Sequence, residues 1–299
     1  MDSNKVPVFE SGIQAVACMN CHSGTKLELQ EDQLQCPDCK AIYEIVDGVL
    51  DLMPPNYNGY PGDRMEEAVL RDAHNRQRLR EDTTHVRSAL DQLLRPKALM
   101  LDAGCGTGQL ARMISESHPD VTIIATDVSL PMCRLAATNC RDNPVMVVRT
   151  PTSTIPPMPF RSSNFDIVFN RLADMDPVES FRLLRPGGYA VEAGLVDAYW
   201  QEIRQVFAVD RRITFPRDLE PKEALFQAGF SEVESHSWRH IKIRSLNEII
   251  TVLKYAPILN DFDETADRPF LNKLEDSYGD RDGIRMTEGE FLVIGRKDN

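Results

Sequence analysis

Two groups of residues in this chain have the types and spacing to do chemistry. The first is four cysteines in two pairs, Cys18 with Cys21 and Cys36 with Cys39. Two tight turns that each present two thiolates can close a tetrahedral S4 shell around zinc, a structural site with no open position for catalysis. The second is Leu101 to Ala111, LDAGCGTGQLA, whose Gly104, Gly106 and Gly108 form GxGxG. The dinucleotide fingerprint sets its third glycine one place later, where this chain has Gln109. Such glycines let the backbone turn sharply and approach a ligand without an intervening Cβ, and the helix that follows offers unpaired N–H groups. Asp127 ends the apolar run Thr122 to Val128, and an acid at the tip of a neighbouring strand can accept the hydroxyls of a ribose. The two stretches together describe a nucleoside pocket.

The elements that must position these groups read as a parallel α/β sheet. The KALML run before Asp102 fits a strand buried on both faces, TIIATDV a second and VMVVRT (Val145 to Thr150) a third. FDIVFNRL (Phe165 to Leu172) reads as the fourth, and LLRPGGYAVEAG (Leu183 to Gly194) as the turn into the fifth. In this order and spacing, over Lys97 to Leu195, the motifs resemble the class I S-adenosylmethionine-dependent methyltransferases. The resemblance implies a Rossmann-like seven-stranded α/β methyltransferase sheet and S-adenosyl-L-methionine as cofactor. It places the cofactor on Asp102, Ala103, Gly104, Cys105, Gly106 and Gly108, with Asp127, Val128 and Asn170 completing the site. The reaction implied is displacement of the sulfonium methyl by N, O or C of an acceptor. PTSTIPPMPF, after the third strand, lacks the acid that usually meets the adenine amino group, which leaves Thr150 or Thr152 for that contact.

The domain organisation follows from turn signals and periodicity. Asp47-Gly48 within YEIVDGVLDLM marks a hairpin between the last two strands of an N-terminal zinc ribbon over residues 1–60. His22 beside Cys21 reads as a loop residue, since four thiolates already satisfy the ion. A linker and bridging helices span 61–96, broken near Thr83-Thr84, where Thr can cap a second helix. The arginines of this segment alternate with acids, as on a solvated face laced with ion pairs. The methyltransferase domain is expected over 97–299, with an insertion at 240–287 that includes an apolar helix at Leu246 to Tyr255 and is expected to cap the acceptor site. Final strands are expected at Ser231 to Trp238 and Glu290 to Arg296. The order ribbon, Pro61-Gly62-Asp63 linker, helix, catalytic domain is similar to that of the bacterial large-subunit ribosomal RNA guanine methyltransferases.

Composition narrows the partners. The chain has 299 residues and 34 Lys+Arg against 46 Asp+Glu, for a net charge of −12. That field repels nucleic acid, so an RNA site would need a local basic patch such as Arg64 to Arg87 or Arg211 to Arg217. No membrane span or export signal is legible, which predicts a cytoplasmic protein with free thiols. Asn170 is followed by Arg-Leu-Ala, not the Pro-Pro-aromatic run that serves exocyclic amines. Candidate general bases are His74, His85, Asp174 and His240. Three functions are expected to compete: methylation of a small metabolite, methylation of a ring nitrogen of guanine in an RNA loop, and a cofactor-binding scaffold without turnover.

Overall fold

The structure, a computed structural model, describes residues 10–21, 23, 25–54, 64–152, 157–207, 220–256, 258–259 and 261–298. His22, the Pro61-Gly62-Asp63 linker and the Arg211 to Arg217 cluster lie outside these residues. The chain divides into two units, Met1–Glu192 with Pro221–Glu234 and Val293–Asn299, and Ala193–Glu220 with Ser235–Leu292.

In the first unit, helix α1 (Glu10–Ala15) precedes four short strands: β1 (Glu28–Gln30), β2 (Gln33–Gln35), β3 (Ile42–Val46) and β4 (Val49–Asp51). The Asp47-Gly48 hairpin forms as its residue types require, with φ of 51° and 84° and Val46 facing Val49. Helices α2 (Met65–Asp82) and α3 (Thr84–Leu93) follow. They break at Thr83, though the mechanism differs from the expected cap. The Thr83 hydroxyl donates back to the Leu79 carbonyl at 2.6 Å and Thr84 to that of Glu81, closing the first helix instead of starting the second.

Then come β5 (Leu99–Ala103), α4 (Gln109–Ser117), β6 (Thr122–Asp127), α5 (Leu130–Asn139), β7 (Val145–Arg149), β8 (Phe165–Arg171), α6 (Pro177–Leu183) and β9 (Leu184–Leu195). Every residue of β5 is buried, as expected of a central parallel strand covered on both faces. α5 starts at a Ser129 cap with Pro131 in its first turn, and Cys133 and Cys140 are both buried in the core. Pro186-Gly187-Gly188 does not turn the chain. It lies inside the strand, where Gly187 adopts φ 79° and the backbone pairs with Lys297.

The remaining elements are α7 (Gln201–Phe207), α8 (Pro221–Gln227), β10 (Ser231–Arg244), α9 (Leu246–Tyr255), α10 (Arg268–Tyr278), β11 (Gly279–Asp280) and β12 (Gly283–Arg296). Strand order is β1-β2-β3-β4-β7-β6-β5-β8-β9-β12-β10, so β7 to β10 supply the seven strands of a Rossmann-like methyltransferase sheet. The ribbon expected over 1–60 is not separate from that sheet. β4 pairs in parallel with β7, Val49 against Val147 and Asp51 against Arg149, and an ion pair of 3.2 Å joins the last two.

The second unit has its own core, built from Trp200, Ile203, Val206 and Phe207 with Ile249, Leu253, Leu271 and Leu274. It takes in the 240–287 segment together with residues 193–220. Both flanking strands are longer than their apolar alternation suggests, β10 running to Arg244 and β12 starting at Gly283. Several polar residues in these extensions find long-range partners. Arg244 donates to the buried Glu288 carboxylate at 2.7 and 2.8 Å, and the Thr287 N–H and hydroxyl donate to Glu202. Burial pushes Glu288 upward, but the Arg244 hydrogen bonds and charge outweigh it and hold the acid below its ordinary range.

Candidate functional site

The four cysteines converge. Their sulfurs lie within 4.8 Å of one another, with Cys18 to Cys39 at 3.5 Å and Cys21 to Cys36 at 3.6 Å. A Zn–S bond of about 2.3 Å in a tetrahedron sets sulfur–sulfur edges of about 3.8 Å, so the donor set fits that ion. The second turn closes because Lys40 takes φ 63° and donates its N–H to the Cys36 carbonyl. Tyr43 adds an outer contact. Its hydroxyl lies 3.1 Å from Cys18 Sγ and accepts the Met19 N–H at 2.9 Å, tying the first turn to β3.

The glycine loop is built by strand register. β5 lies between β6 and β8, with Ala103 beside Thr126 on one side and Asn170 on the other. Asp102, Asp127 and Asn170 therefore meet at the carboxyl ends of three adjacent strands, the place where open α/β sheets bind ligands. The Gly104 and Cys105 N–H groups both donate to the Thr126 carbonyl at 2.8 Å, so they hold the loop to β6. Asp127 is held from both sides, Oδ2 accepting the Gly106 N–H and Oδ1 the Ser129 N–H, each at 2.9 Å. The Val128 carbonyl is engaged by Arg149 Nε at 3.1 Å.

The three glycines have different roles. A Cβ on Gly108 (φ 73°) would come within 2.9 Å of the Ala136 backbone, so this glycine permits α4 to pack on α5. One on Gly104 would overlap the Ala173 side chain of the loop after β8. At Gly106 nothing lies within 4 Å, and this is the position that leaves open space for a ligand. Thus only one member of the pattern leaves an open face.

Among the described residues, Asp102 Oδ2, on a residue 2% exposed, and Asn170 Oδ1, on a residue 3% exposed, are buried without a hydrogen-bond partner, as is Thr107 Oγ1 in the loop. Native proteins seldom leave such atoms unsatisfied, so they retain hydrogen-bonding capacity at the strand ends. Burial, and then the negative charge of Asp127, push Asp102 up to about 7, with Arg171 acting in the opposite sense. Burial likewise raises Asp127, against the pull of the Ser129 and Gly106 N–H groups. Asn170 Nδ2 donates to the Ala173 carbonyl at 2.8 Å, and the residue lines a cleft with Met175, Ser180, Glu192 and Leu225. The orphan carboxylate, the fixed Asp127 and the open face at Gly106 fit a cationic nucleoside.

One part of the site was not legible in the sequence. Asp72 of α2, 7% exposed, accepts Gln109 Nε2 at 2.9 Å, Asn139 Nδ2 at 2.8 Å and Arg76 Nε at 2.8 Å. The same Asn139 amide donates to the Thr107 carbonyl in the glycine loop at 2.8 Å. Burial pushes Asp72 upward, while its Gln109, Arg76 and Asn139 hydrogen bonds pull harder and keep it ionised. Gln109, where a dinucleotide site has glycine, is thus the link between α2 and the loop. Asp72 repeats on the buried stripe of Ala68 and Leu79, a faint signal within a run of alternating charges.

The other candidates are scattered. His85 is exposed on α3, Asp174 is exposed in the loop after β8, His74 is half-buried on α2 and His240 lies on β10 in the second unit. Thr150 is buried, its N–H donating to the Asp127 carbonyl, while the Thr152 hydroxyl donates to the Asp174 carbonyl at 2.5 Å. No helix among the described residues is long and apolar enough to cross a membrane.

Comparison with known proteins agrees with this geometry. Residues 100–188 match the family described as a methyltransferase domain. A malonyl-[acyl-carrier protein] O-methyltransferase of Herminiimonas arsenicoxydans is 27% identical over 168 residues, covering 52% of this chain and 62% of the relative. The protein of the same description from Salmonella typhimurium is 32% identical over 154 residues, covering 48% and 58%. The chain thus spans less than two thirds of the length of these curated relatives. Among solved structures, the YcgJ protein of Bacillus subtilis superposes with a TM-score of 0.50 at 19% identity, covering 72% of this chain and 99% of that one, a likeness of fold.

Proposed function

We propose that this chain is an S-adenosylmethionine-dependent methyltransferase acting on a small-molecule acceptor. The observation that carries the reading is the conjunction at the β5, β6 and β8 ends: Asp127 tied to the loop, Gly106 with an open face, and Asp102 and Asn170 with unsatisfied buried oxygens. When bound there, the cofactor supplies an electrophilic methyl on sulfur. The chain's own residues do the rest. Asp127, fixed by two backbone N–H groups, retains lone pairs for a ribose, and the Gly106 backbone can approach the nucleoside closely. Asp102 and Asn170, at the ends of β5 and β8, each keep a buried oxygen with unspent hydrogen-bonding capacity. Alignment and exclusion of water are the protein's contribution to an in-line displacement.

The names of the relatives support an acceptor that carries a carboxylate. Such a nucleophile is already charged and needs no general base, in keeping with the scattered positions of His74, His85, Asp174 and His240. The four thiols would hold a structural zinc. That ribbon is also what supports the second reading, methylation of a guanine ring nitrogen in RNA, while the net charge of −12 weighs against it. The test is transfer of labelled methyl from S-adenosylmethionine by the full chain into a small-molecule extract or into total RNA. Label in the extract is the expected result. Label in RNA overturns the acceptor class, and cofactor binding with no transfer to either points to the scaffold.

A further inference from the structure

A residue of the N-terminal segment stands in line with Asp127. Asp51 ends β4, and the parallel pairing of β4 with β7 and of β7 with β6 sets Asp51 beside Arg149 and Arg149 beside Asp127. The three form a row across the carboxyl ends of neighbouring strands. Arg149 Nη1 lies 3.2 Å from Asp51 Oδ2, and its Nε donates to the Val128 carbonyl at 3.1 Å. That carbonyl shares a peptide unit with the Ser129 N–H, which donates to Asp127 Oδ1 at 2.9 Å. A peptide unit is planar and trans, so its oxygen and its N–H turn together. Holding the oxygen therefore fixes the direction of the N–H. Asp51 is held in turn, its Oδ1 accepting the Met53 N–H at 3.0 Å, so the guanidinium meets a carboxylate already in place.

We propose that Asp51 and Arg149 are positioning residues for nucleoside binding: Asp51 holds the Arg149 guanidinium, which holds the Val128–Ser129 peptide unit, which aims the Asp127 carboxylate. The N-terminal strand thereby contributes to ligand affinity without touching the ligand. The inference rests on the cofactor reading given above, in which Asp127 takes the ribose. It goes beyond that reading by giving a role in binding to a residue of the segment that carries the four thiols.

The pair matters more to geometry than to stability. The Asp51 carboxylate is partly exposed and the Arg149 side chain mostly buried, and an ion pair of that kind adds little to the fold. Without the acid, a long side chain regains other rotamers, and the Val128 carbonyl loses its donor for part of the time. β4 stays on β7 all the same, because the Leu52 N–H donates to the Arg149 carbonyl at 2.9 Å and Val49 remains in register with Val147. Binding is the more sensitive property, since a carboxylate that must meet ribose hydroxyls has to be aimed before the ligand arrives.

The experiment is titration calorimetry of the full chain with S-adenosylhomocysteine, on the wild type, Asp51→Asn, Asp51→Glu, Arg149→Met and the double variant Asp51→Asn with Arg149→Met. The expected result is binding weakened roughly threefold by Asp51→Asn and roughly tenfold by Arg149→Met. The double variant should bind no more weakly than Arg149→Met alone, because both changes act through one peptide unit. Asp51→Glu keeps the charge and should recover most of the affinity, which a role confined to stability would not require. If Arg149→Met fails to fold, the contrast between Asp51→Asn and Asp51→Glu still decides. Wild-type affinity in Asp51→Asn, or losses that multiply in the double variant, would overturn the proposal while leaving the cofactor site intact. Failure of the wild-type chain to bind the nucleoside would instead bring down the cofactor reading and this inference with it.

Discussion

The thiol cluster and the proposed nucleoside pocket belong to the same unit, yet they are assembled by opposite means. Cys18, Cys21, Cys36 and Cys39 come from two tight turns within one short stretch, the second closed by its own Lys40 to Cys36 backbone hydrogen bond and the first tied by the nearby Tyr43 hydroxyl. The pocket takes Asp102, Asp127 and Asn170 from three strands, and its loop is held by Asp127 and by Asp72 from a helix that precedes the sheet. A local site depends on one folding event. A distributed one depends on sheet register, and it can afford unsatisfied atoms only because the surrounding strands hold them in place.

The sharpest way to break the comparison is to remove the zinc proposed for the four thiols. Chelation, or Cys36→Ser, should unfold the ribbon, and because β4 pairs with β7 the loss should reach the sheet, costing several kcal/mol. Zinc content measured beside thermal unfolding decides this, and an unchanged melting temperature with all zinc gone would show the two sites to be independent. Next in size is the contrast between two glycines of the loop. Gly108→Val puts a side chain against the Ala136 backbone at φ 73° and should cost about 3 kcal/mol or more, read by denaturant unfolding. Gly106→Ala meets nothing within 4 Å and should cost only about 1 kcal/mol in backbone strain, while weakening nucleoside binding by filling the open face. If both variants lost stability equally, the division of roles between these glycines would be wrong. A modest effect is also expected at Asp72. Asp72→Ala leaves the Gln109 and Asn139 amides without their acceptor and should cost about 1–2 kcal/mol. Hydrogen exchange should show α2 and the Thr107 loop opening together, whereas protection lost in α2 alone would argue that the hub does not hold the loop.

Residue order alone carried the paired cysteines, the Asp47-Gly48 hairpin, the buried parallel strands and the acid at each of two strand ends. These are legible because turn chemistry and hydrophobic period act over a few residues, and the fold class follows from their order. The same local logic misjudged Pro186-Gly187-Gly188, which looks like a turn but is carried through β9 by pairing with Lys297. It also stopped β10 and β12 short, because Glu288 and Arg244 look like surface residues until each is seen to neutralise the other. Only the tertiary structure decided that the N-terminal strands extend the sheet, that Gln109 reaches Asp72, and that Asp102 Oδ2 is left without a hydrogen-bond partner among the described residues. Each of these depends on groups far apart in the chain arriving at one place, and the energy of a buried polar atom is set by what surrounds it.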